Sequence, residues 1–517
     1  MRTGATLIFR NTAANYVGTL LALLVSFFLT PFIISKLGQQ GFGLWALVGA
    51  VMTYGSLLDL GIDHALTKYV GEHSSLDDVP WLERVIHTTL TIYLGIGAAV
   101  LAFTALAAWL VPLVFALPED LAGTARTLVL ITGTSLAINF PLGMYNGILQ
   151  GLQRYDIVNA ANVLWSLGTA TGAVIVLSNG GGLIGLGLVY AVGNTLGQAA
   201  RIGYLLRRHP HVRWMRAHYH GDRGREIFSF SFYAFLIRGA NLVKHKTDEI
   251  VVGLYLPIHA VGHYSVGIRL TSMLDKLASQ LAMAIYPYGS NLDAGGEREA
   301  LRRLYVTAGR LNLAIALPMG LFIGLQASRF IEAWVGPGFE DAALPARLLI
   351  GALVALVAGQ MGNTLLTSMG RHQTLARLSL VEAACNLALS LALVRRWGLT
   401  GVAAGTLIPA VVFNLGFVIP HSARRIGVEM RQVLTRILAP QIPPATAAIL
   451  VSLALAALPG STGLVRLLGE AAVVGAVYWT TYITISADVV EKDIVRTVAS
   501  RVGRAIARRS PADGEDG

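Results

Sequence analysis

The sequence predicts an all-α polytopic membrane protein of about 14 transmembrane helices, arranged as two parallel six-helix lobes with two further helices at the C-terminal end. Three observations predict it. The 517-residue chain is 54% hydrophobic and 13% charged, about half the charge of an ordinary soluble domain, and its mean hydropathy is +0.60. Apolar runs of about 20 residues, enough to cross the hydrocarbon core, recur from one end to the other. Segments roughly six spans apart resemble one another.

The spans fall roughly at 11–36, 42–67, 87–113, 126–150, 157–178, 183–206, 226–254, 260–288, 303–326, 343–368, 374–394, 399–420, 434–457 and 464–486. The first run, "NYVGTLLALLVSFFLTPFII", is read as a retained helix, because no small-residue cleavage site follows it. "SKLGQQG", "ALPED", "SNGGG" and "LPGST" read as tight connectors. An even number of spans puts both termini on one side. With the termini in the cytoplasm, about 28 of the 40 Lys and Arg lie in or beside cytoplasmic segments, about 7 outside and about 5 within spans. The net charge of +11 therefore reads as a topological signal and not as a nucleic-acid surface. The densest basic loop, "LLRRHPHVRWMRAHYHGDRGRE", is placed inside. Residues 488–509 carry Val490, Ile494, Val498, Val502 and Ile506 four apart, with arginines off that stripe, as in an interfacial helix. The single cysteine, Cys385, permits no internal disulfide.

The repeat is legible in three places. "NGILQGLQRYDIVNAANVLWSLG" from Asn146 falls on "NTLLTSMGRHQTLARLSLVEAAC" from Asn363. "GLGLVY" from Gly185 falls on "GVAAGT" from Gly401, and "GFGLWAL" from Gly41 on "AVGHYSV" from Ala260. The offset is roughly 216 to 219 residues, or six spans, so the copies run the same way and are related by a pseudo-twofold axis along the membrane normal. The expected organisation is a first lobe 1–206, a basic inter-lobe loop 207–225, a second lobe 226–424, two additional helices in 425–487, and a cytoplasmic amphipathic helix and tail 488–517.

Polar residues form stripes on equivalent spans of the two lobes. The first span places Asn11, Asn15, Thr19, Ser26 and Thr30 in one arc, and the second places Ser56, Asp59, Asp63 and Thr67 on one face. The seventh does the same with Arg238, Asn241, His245, Asp248 and Glu249, flanked by Lys244 and Lys246. The eighth carries Arg269, Ser272, Lys276, Ser279 and Gln280. A charge in hydrocarbon costs at least about 2.5 kcal/mol, so clustered charges face one another or water. Stripes repeated by pseudosymmetry line a wet cavity. The second-lobe stripes sum to a net positive charge, which attracts an anion. The alternative is local neutralisation through the i,i+4 pairs Lys244–Asp248 and His245–Glu249. Glu382 with Asn386 reads equally as an interhelical hydrogen-bonded pair or a coupling-ion site. Asn139, Asn146 and Gln150 read as packing contacts between helices.

The stretch "SKLGQQGFGLWALVGAVMTYGSLLDLGIDHALTKYVGE" resembles the start of the polysaccharide-repeat transporters of the multidrug/oligosaccharidyl-lipid/polysaccharide exporter superfamily. "TDEIVVGLYLPIHAVGHYSVGIRL", "AIYPYGSNL" and "EAWVGPGF" are similar to later segments of that family. The resemblance implies a flippase of the bacterial inner membrane. Its substrate would be an oligosaccharide repeat unit on undecaprenyl pyrophosphate, moved by alternating access for surface polysaccharide export. A polysaccharide polymerase and export complex would be its partners. It implies head-group binding by Arg238, Lys244, Arg269 and Lys276, and sugar contacts from Asn11, Asn15, Asp59, Asp63, Asn241 and Gln280. His245, Asp248, Glu249 and Glu382 are candidates for ion coupling.

Three other classes share some of these features. A multidrug or cation antiporter of the same superfamily would present an acidic, aromatic cavity. A lipid II flippase would carry arginines in its first span, where this chain has none after Arg10. A membrane polymerase or ligase would need a large external loop, and the longest expected here is "ASRFIEAWVGPGFEDA". No metal-ligand spacing, nucleophile elbow or phosphate-cradling loop is present in the sequence, so neither cofactor nor catalytic residues are expected.

Overall fold

Apolar runs with few breaks become long helices, and in a computed structural model of the chain helices are the only regular structure among the described residues. These are 2–74, 79–209, 218–221, 239, 242–244, 246–371, 373–459, 463–489 and 491–493, with backbone alone for 2–17, 64, 73–74 and 79. In order they are α1 (Arg2–Gly55), α2 (Ile62–Ser74), α3 (Val79–Val114), α4 (Glu119–Gly151), α5 (Tyr155–Ser178) and α6 (Gly182–Arg208). The described parts of α7 are 242–244 and 246–255. Then come α8 (Ile258–Ala294), α9 (Arg298–Leu325), α10 (Ala327–Val335), α11 (Ala343–Ser368) and α12 (Gln373–Phe413). The chain closes with α13 (Ile419–Ile426), α14 (Met430–Gln432), α15 (Ile442–Ala457) and α16 (Leu464–Thr481).

Nine helical stretches among the described residues are long and apolar enough to cross a membrane. The expected count is higher by five: most of the expected span 226–254 lies outside the described residues, and the other four have two causes. First, two stretches each hold two expected spans, joined at a glycine that turns the chain without ending the helical ladder. Gly38 (φ 68°) divides α1, and Gly398 (φ 54°) divides α12. A side chain is disfavoured at such angles and glycine is not. Second, α8 and α16 are helical where spans were expected but fall outside those nine. The faces turned away from protein carry Leu20, Leu24, Leu106, Leu113, Leu164 and Leu196, all exposed, an apolar belt that water would not tolerate and lipid does.

The contacts divide the chain into two compact units. One comprises 1–273, 331–349 and 373–410; the other comprises 274–330, 350–372 and 411–517. In the first unit, Leu66, Val70, Ile86, Met144, Ile148 and Leu149 hold α2, α3 and α4 together. A second cluster there joins α1 to α7, α8 and α12 through Leu44, Leu47, Val252, Val261, Tyr264 and Val402. The "EAWVGPGF" turn is tied to α1: the Trp334 indole donates to the Phe27 carbonyl at 2.9 Å, and Gln39 donates to the Gly338 carbonyl at 2.9 Å. In the second unit, Asn312 of α9 donates to Gln360 of α11 at 2.8 Å, and Gln360 donates to Ser279 of α8 at 2.9 Å.

The stretches that align in sequence end in the same backbone turn. The Arg154 N–H reaches the Leu149 carbonyl and the Arg371 N–H reaches the Leu366 carbonyl, each at 2.8 Å. The residue before each arginine has positive φ: Gln153 at 56° and Gly370 at 72°. That is the six-to-one closure of a helix C-terminus. Gly182 (φ 56°) and Gly398 (φ 54°) stand at a further pair of aligned positions.

Candidate functional site

Two groups of polar residues lie inside the first unit. The first surrounds a cavity of about 370 Å³ within α2 to α6. Asp59 lies in a short 3-10 turn after α1, and Asp63 in the first turn of α2, beyond a break in the helix at Leu60 (φ 52°) and Gly61 (φ 78°). Both aspartates line the cavity. The buried Asp59 carboxylate accepts from the Tyr93 hydroxyl at 2.7 Å. The same cavity is lined by Asn139 and Asn146 of α4, Asn162 of α5, and Asn194, Gln198 and Arg201 of α6. Arg201 is only 7% exposed, and it donates to the Gln198 amide oxygen at 2.6 Å and the Asn162 amide oxygen at 2.5 Å. Through Ser56, Trp165 and Asn194 this space borders a second cavity of about 420 Å³, which Trp45 and Tyr190 line with rings 5.1 Å apart.

The stripe Asn139–Asn146, expected to pack helix on helix, instead lines this cavity. The correction has a physical cause. Both amide oxygens are buried without a donor, which a well-made packing contact does not leave. Arg201 was missed by sequence reasoning, because an arginine near the end of an apolar run ordinarily reads as a cytoplasmic flank. Its one available signal was the polar run Asn194–Gln198–Arg201 at spacings of four and three on α6.

The second group joins α7, α8 and α12. The Asp248 carboxylate accepts from the Tyr264 hydroxyl at 2.8 Å and from Thr406 at 2.7 Å, and its other oxygen is buried without a donor. Asn386 in turn donates to Thr406 at 3.0 Å. The Glu249 carboxylate accepts from Ser265 at 2.8 Å and from Lys246 at 3.5 Å. Lys244 pairs with Glu382 at 2.5 Å, both side chains buried. The pairings therefore differ from the i,i+4 pairs the helix pattern offers. Lys244 reaches a different helix, and Glu249 takes its lysine from three residues before it. A buried lysine held by a buried glutamate is already neutralised, so Lys244 is a weak candidate for an anionic head group.

Arg269 of α8 is different. Its guanidinium donates to Thr30 at 3.3 Å and lies 5.1 Å over the Phe42 ring. Among the described residues no carboxylate lies within 4.0 Å of it. Lys276 is exposed two turns further along α8 in the second unit, and Gln280 is half-buried there. Arg238, Asn241 and His245, together with the side chains of Asn11 and Asn15, lie outside the described residues. Among the described residues no group of three or more His, Cys, Asp or Glu is placed to hold a metal ion.

The chain is similar to several known membrane proteins. It is 22% identical over 434 residues to the uncharacterized membrane protein EpsK of Bacillus subtilis, covering 83% of this chain and 86% of that one. It is 22% identical over 421 residues to the putative O-antigen transporter of Shigella flexneri, covering 78% and 95%. Among solved structures, the fold matches the lipid II flippase MurJ in an inward closed conformation, with TM-score 0.70, 13% identity and coverage of 91% and 98%. It also matches an inward-facing multidrug resistance MATE transporter of the MOP superfamily, with TM-score 0.70, 16% identity and coverage of 79% and 98%. The model of the family described as "Polysaccharide biosynthesis protein" matches residues 8–293. With a multi-pass helical fold of the MurJ and MATE kind and more than half its length under that one model, the chain belongs to the polysaccharide biosynthesis protein family.

Proposed function

We propose that this protein moves lipid-linked oligosaccharide repeat units, carried on undecaprenyl pyrophosphate, from the inner to the outer leaflet of a bacterial inner membrane, without chemical change to the substrate. Family membership and fold support a flippase. The observation that carries the sugar reading is the amide-lined intramembrane cavity bordered by Trp45, Trp165 and Tyr190. Amides offer donors and acceptors together, and aromatic faces suit the apolar faces of sugar rings. In this reading Asp59 and Asp63, with Asn11, Asn15, Asn241 and Gln280, meet sugar. Arg269, Lys276 and Arg238 meet pyrophosphate. Asp248 and Glu249, with His245 and Glu382, are the groups available for ion coupling. The two six-helix lobes rock against each other around the substrate, and both termini face the cytoplasm.

The test is complementation. A strain deleted for this gene loses surface polysaccharide and accumulates lipid-linked repeats in the inner leaflet, and the wild-type gene restores both. Normal export from the deletion strain would overturn the reading. Reporter fusions after Arg225 and after Arg509 both give a cytoplasmic signal.

A second reading, cation antiport, is favoured by one observation: Asp59 and Asp63 both line the first cavity. It requires that the deletion sensitise cells to organic cations while leaving surface polysaccharide intact.

A further inference from the structure

We propose that the cavity within α2 to α6 is a subsite for an acidic sugar, with the Arg201 guanidinium holding the sugar's carboxylate. The inference rests on the flippase reading above and narrows the kind of repeat unit carried.

Arg201 is a buried cation whose hydrogen-bond partners among the described residues are both neutral amides. No described carboxylate lies within ion-pair distance of it, and its Nε–H is buried with no acceptor. Buried arginines are ordinarily paired, because an uncompensated charge costs several kcal/mol. Asn162 and Gln198 fix the plane of the fork and leave its charge unmatched. An incoming carboxylate supplies both the missing charge and the missing acceptor.

The rest of the wall selects what carries that carboxylate. The Asn139 and Asn146 amide oxygens are buried acceptors without donors, and they call for hydroxyl groups. Asp59 and Asp63 are acceptors as well, on the same cavity. A sugar acid presents one carboxylate to Arg201 and several hydroxyls to these oxygens.

A single carboxylate matches the one guanidinium of this wall in charge and in geometry. At about 370 Å³ the space is within the size of small-molecule sites. Its neighbour with Trp45 and Tyr190 takes the next ring of the chain.

Two experiments test this on the full-length protein. In the first, methyl β-glucuronide, methyl β-glucoside and inorganic pyrophosphate are titrated into purified protein by calorimetry. The glucuronide binds about tenfold or more tighter than the glucoside, the factor of one charge-assisted hydrogen bond. Arg201→Gln abolishes that difference and Arg201→Lys keeps part of it. Equal binding of the two glycosides, no binding by any probe, or pyrophosphate binding that Arg201→Gln removes would each overturn the proposal. The wild-type ranking decides even if Arg201→Gln does not fold. In the second, proteoliposomes are given lipid-linked repeats that differ only in one uronate. Faster flipping of the uronate form supports the subsite. Equal flipping of both sinks the subsite and leaves the flippase reading standing. Flipping of neither sinks the flippase reading itself.

Discussion

Gly43 and Gly262 meet backbone to backbone. A methyl group at Gly43 would lie 2.1 Å from the Ile258 carbonyl oxygen, and one at Gly262 would lie 3.0 Å from the Gln39 carbonyl oxygen and 3.2 Å from the Gly43 nitrogen. These two glycines are also the aligned positions of "GFGLWAL" and "AVGHYSV". Small residues that let helix backbones approach are the usual device for packing inside a membrane.

Gly43→Ala should therefore lose folded protein, because the obstacle is a carbonyl and not a movable side chain. The expected cost is about 1–3 kcal/mol or more, against a gain of about 1 kcal/mol from helix propensity. Gly49→Ala, which meets nothing within 4 Å, should be neutral or slightly stabilising. Thermal melting of both purified variants checks this. A Gly43→Ala protein as stable as wild type would show that the two helices are free to separate.

Lys244 and Glu382 should behave as a unit. Lys244→Met alone takes the cation away from the buried Glu382 carboxylate and should cost up to about 3–5 kcal/mol. The double variant Lys244→Met, Glu382→Leu should recover most of that stability. The measurement is a double-mutant cycle on denaturation. Additive losses would mean that the pair is not coupled.

The tail is locked to α9 by charge. The buried Glu491 carboxylate receives the Arg310 guanidinium through Nε at 2.6 Å and through Nη2, and Asp488 pairs with the same arginine at 2.9 Å. The Glu491 N–H donates to Asp488 at 2.9 Å, and the Asp488 N–H donates back to Glu491 at 3.2 Å, a reciprocal helix cap. Glu491→Ala should expose the segment after Ala487 to protease at least about tenfold faster, because the buried arginine loses its two-point partner and keeps only the half-exposed Asp488. Unchanged cleavage would show that the tail is held by something other than this pair.

Arg269 and Asp248 should be separable from folding. Arg269→Ala should lower polysaccharide export to the level of the deletion strain with near-normal protein in the membrane. Arg269→Lys should rescue only partly, since lysine keeps the charge and loses the planar fork. Asp248→Asn keeps the shape that Tyr264 and Thr406 hold, and removes the charge. Export should fall with it while the membrane amount of the protein persists. Full export from either Arg269→Ala or Asp248→Asn would remove that residue from the transport cycle.

Much of this protein is written in one dimension. Helix needs only a local rule, and in lipid the backbone has no other partner than itself. Apolar runs, glycine breaks and charged flanks therefore sufficed for the class and for most of the helices, and the aligned stretches share one backbone turn, at Arg154 and at Arg371. The stripes of Asp59 and Asp63, and of Asp248 and Glu249, were legible because a charge in an apolar run always demands a reason.

Which partner answers each charge was not legible, because partners lie on other helices and spacing within one helix does not name them. The i,i+4 pattern offered Asp248 to Lys244, and the fold gave it Glu382. Arg201 looked like a flank and is buried among amides. Asn139 and Asn146 looked like packing and line a cavity. The sequence determined that these groups must be satisfied somewhere inside the membrane. Only the tertiary structure decided where, since a cavity exists only once several helices have closed around it and its walls come from residues far apart in the chain.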